Sequence, residues 1–128
     1  MLAASKSVET LQVAELLAQL AWRYQGQPSC VCDLRDLSLR LVEYQLRELQ
    51  SQVETGTRVL IALRSIFENP TATPIATQAD AIVLCVGLGT TPIKSVEKTI
   101  AEVGRERVLG SIVVRKRVAN DTAPVSRP

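Results

Sequence analysis

The chain has 128 residues, 46% of them hydrophobic and 22% charged, which is the length of one domain and the composition of a soluble globular fold. Aromatics make up only 3%, so the core is aliphatic; the absence of histidine excludes Ser-His-Asp and Cys-His catalysis, a His-ligated metal and a histidine pH switch. A net charge of +2 gives no reason to expect nucleic acid as a partner, and no apolar run reaches the roughly 18 residues that a membrane span needs.

In chain order, Ser7 is placed to cap a helix running to about Tyr24, whose wide apolar stripe (Leu11, Val13, Leu17, Leu20 and neighbours) predicts a mostly buried element. Gly26 and Pro28 stop it. Ser29 to Leu34 is apolar on both faces until Asp33, the pattern of a strand inside a parallel sheet. A second helix spans about Ser38 to Thr55, with Leu39, Val42, Leu46, Leu49 and Val53 on one stripe, and Gly56 ends it. Arg58 to Leu63 is the next strand. Arg64 to Asp80 is irregular, with one short helical turn opened by Thr73-Pro74. Ala81 to Leu88 is the strongest strand. Thr91 caps a helix with Pro92 in its first position and Gly104 at its stop, and Val108 to Val114 is the last strand. The expected domain is 1–114, followed by a basic tail, 115–128, that frays.

This alternation predicts an α/β three-layer sandwich, a mostly parallel sheet of about four strands with helices on both faces. Ligands of such sheets bind beyond the C-terminal strand ends. Those ends carry Asp33-Leu34-Arg35-Asp36, Arg64-Ser65 and Gly87-Leu88-Gly89-Thr90-Thr91. Asp33 either holds a magnesium-bound water or a nucleotide, or pairs with Arg35 and caps the next helix with Asp36. The Gly87–Thr91 turn either offers backbone amides to an anion at a helix N-terminus or is a simple turn. Cys30, Cys32 and Cys85 are odd in number and have no histidine to complete a metal site; they read as small hydrophobes in a cytoplasmic protein. Lys6 and Glu9 interrupt any signal-peptide core. Arg115-Lys116-Arg117 is either a contact for phosphate or acidic lipid, or a solvated run.

Four segments together carry a resemblance. Ser5-Lys6-Ser7 is similar to the end of a P-loop, where Gly-Lys-Ser or Gly-Lys-Thr opens a helix. Asp33, 27 residues beyond Lys6 in Val31-Cys32-Asp33-Leu34-Arg35, resembles an Asp-Ala-Asp-Leu-Arg pattern. Ala79 to Val86 and Val108 to Val114 are similar to the two later strands of the same family. From Ser5 to about Arg115 the chain resembles the ATPase domain of the bacterial tyrosine kinases of capsule and exopolysaccharide synthesis, members of the deviant-Walker P-loop ATPases. The departures shape what this implies. Leu2-Ala3-Ala4-Ser5 has no glycine to let backbone amides curl round phosphate. Val31 stands for the first acid, Arg64 for the later carboxylate, and no tyrosine-rich tail follows Val114. The strand that precedes the P-loop is expected to be absent, leaving its neighbours, Arg58–Leu63 and Ala81–Leu88, to pair directly or to admit another chain.

The resemblance and its departures imply a non-catalytic pseudo-ATPase without cofactor. It would regulate or scaffold exopolysaccharide synthesis or export by contact with a membrane polysaccharide-export component, at the inner face of the membrane, as a homo-oligomer. One alternative is a regulatory domain that binds nucleotide or phosphate, with ATP and magnesium held by Lys6, Ser7, Asp33, Arg35, Gly87, Gly89 and Thr90. A second is an unrelated small α/β interaction domain. The family relation also predicts the parallel strand order Ser29–Leu34, Arg58–Leu63, Ala81–Leu88, Val108–Val114.

Overall fold

The computed structural model describes residues 1–6 and 8–115. Ser7 and the Lys116-Arg117 part of the basic run lie outside the described residues, as does most of the expected tail. The elements are β1 (Leu2–Ala3), α1 (Thr10–Gln25), β2 (Ser29–Asp33), α2 (Val42–Glu54), β3 (Arg58–Ala62), α3 (Ala72–Thr77), β4 (Ile82–Gly87), α4 (Ile93–Val103) and β5 (Val108–Val114). Single 3-10 turns precede α2 and β5. The architecture is α/β, with every paired strand parallel and helices packed on the sheet.

β2 pairs with β3, and β1, β4 and β5 form a three-stranded sheet in the order β1-β4-β5. A single parallel bridge, Leu2 to Leu63, joins the two pieces, so the strands run β2-β3-β1-β4-β5. The four expected strands therefore stand in the expected order, but the expectation of an absent central strand is overturned. Leu2 and Ala3 fill that place between β3 and β4, and these two neighbours neither pair directly nor wait for another chain at that level. Physically, the apolar run Met1 to Ala4 is small enough to enter the sheet's middle, where Leu2, Ala3 and Ala4 are all fully buried. Leu63 N–H donates to Met1 O at 2.9 Å, Ala4 N–H donates to Cys85 O at 2.9 Å, and the Met1 ammonium donates to Ile61 O at 2.7 Å.

The larger core lies on the face covered by α2, α3 and α4, where Leu49, Ile75, Ile82, Leu84 and Val103 meet around Leu2. The second cluster, Ala3, Val8 and Cys85 with Met1, Val13 and Val114, is small. Helix α1 packs against β2 and β3. It is not the buried helix that its composition predicts: only Thr10 and Ala14 are buried, while Leu16, Leu20, Trp22 and Tyr24 are exposed. A helix on an outer layer can bury one side only, and no described element covers the other. It also starts at Thr10 rather than Ser7, with Glu9 in the cap position and Gly26 closing it in the left-handed conformation. Leu39, expected on the α2 stripe, is exposed because residues 39–41 form a 3-10 turn that rotates it away. The other helix and strand boundaries match their apolar runs to within a few residues.

β1 is much shorter than its neighbours. Leu2 is level with Leu63 and Leu84, so Met1 is level with Ala62, and β3 continues below it from Ile61 back to Arg58. A cavity of about 1190 Å³ lies under Met1. Leu17, Leu20 and Tyr24 of α1 line one side and Leu46, Leu49 and Val53 of α2 the other.

Leu84 is 1% exposed and opposes Leu2 in the sheet's centre. Leu84→Ala is expected to cost about 2–5 kcal/mol, read as a lower midpoint in urea denaturation with little change in slope.

Candidate functional site

At the C-terminal strand ends, β2 delivers Asp33 and the following turn brings Arg35 back onto it. Arg35 Nε and Nη2 donate to Asp33 Oδ1 and Oδ2 at 2.8 and 3.0 Å, a bidentate pair, and Arg35 N–H donates to Asp33 Oδ1 at 3.2 Å. Arg35 Nη1 donates to both carboxylate oxygens of Glu9, each at 3.2 Å. Glu9 stands where α1 begins, so its negative charge also faces the positive end of that helix dipole. One guanidinium thus holds two carboxylates from two different strand-to-helix connections. The hydrogen bonds from Arg35 hold the Asp33 carboxyl below the usual carboxylate range, and Asp33 in turn raises Arg35.

The turn that carries Arg35 is pinned from behind. Asn69 Nδ2 donates to Arg35 O and to Leu37 O, each at 3.1 Å, and buried Thr71 Oγ1 donates to Leu37 O at 3.2 Å. Arg64 Nε donates to Asp36 Oδ1 at 3.0 Å. Asp36 is therefore an ion-pair partner of Arg64 and makes no helix cap, whereas the pairing of Asp33 with Arg35 is one of the two readings its sequence allowed.

The Gly87–Thr91 turn is tied to the connection after β1. Ser5 Oγ and Thr91 Oγ1 are hydrogen-bonded at 2.7 Å, and Gly87 N–H donates to Thr91 Oγ1 at 2.8 Å. Gly87 O accepts from the N–H groups of Thr90 and Thr91 at 3.2 and 3.1 Å. Thr91 was expected as the helix cap; its hydroxyl instead closes the turn, Pro92 takes the cap position and α4 starts at Ile93. A Cβ on Gly87 would collide with the Thr90 hydroxyl and crowd that of Thr91, so the folding of this turn back on Gly87 favours glycine there. Gly89 has φ +74°, the left-handed region.

The structure thus brings together Asp33 and Arg35, and separately Gly87 and Thr91 with Ser5. Lys6 is exposed in the turn after Ser5, and Gly89 and Thr90 are exposed in theirs. Sequence reasoning missed Glu9, Asn69 and the bonding of Ser5 to Thr91. An acid just before a helix is a visible signal for Glu9; nothing local announces the role of Asn69, whose Nδ2 reaches carbonyls more than 30 positions away. Cys30 and Cys32 share a face of β2 with sulfurs 4.0 Å apart, and burial, followed by its neighbour Cys30, pushes the Cys32 thiol up to about 11. Among the described residues no group of three His, Cys, Asp or Glu side chains is placed to hold a metal ion, and no helix is long and apolar enough to cross a membrane.

Comparison with models of protein families, with curated proteins and with solved structures finds no match to this chain.

The Asp33–Arg35 pair sets an acid limit. A carboxyl whose pKa is lowered by folding contributes stability that is present above its unfolded pKa and is lost as pH falls through the folded value. Thermal melts from pH 7 down to about 2.5 are expected to show Asp33→Asn less stable than the parent at neutral pH, with the difference closing in the acid range below about pH 4.

Proposed function

We propose that this chain is a non-catalytic, kinase-like α/β domain that works by protein contact, regulating or scaffolding exopolysaccharide synthesis or export together with a membrane export component. The observation that carries the non-catalytic part is the Arg35 clamp. The one guanidinium at the end of β2 already holds Asp33 and Glu9. A phosphate arriving there meets two carboxylates, each repelling a unit negative charge at about 4 Å by ~1 kcal/mol in water and ~4 kcal/mol at the effective dielectric of a protein surface. The second anion candidate is closed by its own bonds, since the Gly87 N–H is held by Thr91 Oγ1 and that hydroxyl also meets Ser5. Phosphoryl transfer depends on positioning donors and metal around the phosphates. Leu2-Ala3-Ala4-Ser5, buried or tied in the sheet and without glycine, supplies no such cradle.

The assignment to exopolysaccharide synthesis rests on the resemblance of Val31–Arg35, Ala79–Val86 and Val108–Val114, and the parallel strand order agrees with that relation. Support for protein contact comes from the apolar side chains left exposed on α1 and on the edge strand β5, where Leu109 is 77% exposed.

Calorimetric titration with ATP and with ADP, each with magnesium, is expected to give no binding heat at millimolar nucleotide. Micromolar binding would overturn the non-catalytic reading in favour of a nucleotide-binding regulator. Affinity capture from the native host is expected to recover a polysaccharide-synthesis or export component; recovery of none would remove the pathway assignment.

A further inference from the structure

Two thiols stand side by side at one end of the strand order. Cys30 and Cys32 are two positions apart on β2, so their side chains leave the same face of the sheet. Their partners across the ladder are Val59 and Ile61 of β3, and Cys32, Val59 and Ile61 all pack against the core that α2 covers. β2 pairs with β3 alone among the described strands, and both thiols are half-buried. Cys30 also lines an open cavity of about 810 Å³, with Val53, Thr55, Thr57 and Val59. The third cysteine is elsewhere. Cys85 is fully buried in the other core cluster, on β4, three strand places or about 14 Å across the sheet.

The separation of the two sulfurs decides which chemistry suits them. They are 4.0 Å apart. A disulfide would have to draw them together to about 2.05 Å. Both residues are held in the parallel ladder with β3, where positions i and i+2 lie about 6.6 Å apart, close to the limit of about 6.8 Å that a disulfide tolerates. Burial, and then the neighbouring Cys30, push the Cys32 thiol up to about 11, which keeps it protonated at neutral pH and slows its attack on a disulfide. A single bridging ion asks for less movement. A metal–thiolate bond is about 2.3 Å long, so a linear sulfur–metal–sulfur unit spans about 4.6 Å. Small side-chain rotations reach that span and leave the strand in register.

The number of ligands then selects the ion. Zinc takes four ligands, and among the described residues no group of three His, Cys, Asp or Glu side chains is placed to hold a metal. Magnesium and calcium want oxygen. A soft ion that is content with two thiolates fits what is present, and monovalent copper is that ion.

We propose that Cys30 and Cys32 form a two-coordinate site for Cu(I). Two thiols and one Cu(I) ion give a copper bis-thiolate and two protons, with no change of oxidation state. The cavity beside Cys30 gives the ion a way in, and Val53 and Val59 shield the loaded site from water. Cys85 is the small hydrophobe that its sequence suggests, whereas Cys30 and Cys32 are ligands. The site lies outside the protein-contact reading and does not depend on it.

The probe is Cu(I) itself, presented without oxygen to the reduced full chain in competition with bicinchoninate, a coloured Cu(I) chelator. The chain is expected to withdraw one equivalent of copper and to gain an ultraviolet thiolate-to-copper absorption. X-ray absorption at the copper edge is expected to show two sulfur neighbours. Cys30→Ser and Cys32→Ser are each expected to abolish uptake, and Cys85→Ser to leave it intact, with circular dichroism melts to check that each variant folds. Cys30 is half-buried and lines a cavity, so its variant carries the test if Cys32→Ser does not fold. No withdrawal of copper, full uptake by folded Cys30→Ser, or lost uptake by folded Cys85→Ser would each overturn the proposal. Half an equivalent per chain, with sedimentation as a dimer only when copper is present, would also overturn it, because the ion would then bridge two chains. Displacement of the copper by an equal concentration of Zn(II) would overturn the choice of ion. Nucleotide titration and affinity capture read neither cysteine, so failure of the copper site and failure of the protein-contact reading remain separate outcomes.

Discussion

Leu63 is where the two halves of this sheet are held together. Its N–H reaches Met1 O, its carbonyl receives the buried Thr10 hydroxyl at 2.8 Å, and its bridge to Leu2 is the only ladder contact between the β2-β3 pair and β1-β4-β5 among the described residues. A hydrogen bond of this kind is worth about 1 kcal/mol net, so a join made of a few such bonds matters in a domain whose whole stability is of order 5–15 kcal/mol. What makes the join strong is burial: Leu2 and Leu84 are the large side chains at its centre, packed with Ile75, and breaking it would open the main core. Three apolar residues at the head of β1 therefore decide whether the chain has one sheet or two.

Two features at opposite ends of the sheet bear on function. Because β1 ends after Ala3, the chain turns immediately into Ala4 and Ser5, and that turn is locked by Cys85 and Thr91. Beneath Met1 lies an apolar cavity lined by Leu17 and Leu20 of α1 and Leu46 and Leu49 of α2. The upper end is polar and internally satisfied, with Arg35 shared by Asp33 and Glu9. The lower end is apolar and incompletely covered. Charge is thus neutralised where ligands of α/β sheets commonly bind, and unspent apolar surface collects at the opposite end. This division is the physical basis for reading the chain as a binder of protein rather than of nucleotide.

Much of the fold was legible. Ala81–Leu88 and Val108–Val114 are largely apolar runs, and they became β4 and β5 with bounds that shifted by no more than one residue. Pro92 and Gly104 bracketed α4. The central strand was not legible, because two residues carry no periodicity and the bridge of Leu2 to Leu63 spans 61 positions. The burial of α1 was not legible either: its apolar stripe is wide, but a helix on an outer layer buries one side only, so Leu16, Leu20, Trp22 and Tyr24 stay exposed. At the candidate site, the local pair Asp33–Arg35 could be foreseen from two residues' separation, whereas Glu9 and Asn69 join it through the fold.

Native-state amide hydrogen exchange tests the central claim, that the short β1 joins the two parts of the sheet. The amides of Leu63 and Ala4, bonded to Met1 O and Cys85 O, are expected to exchange only with global unfolding, and together. Rapid exchange at Leu63 and Ala4 would mean that β1 does not hold the halves together, and would contradict the account.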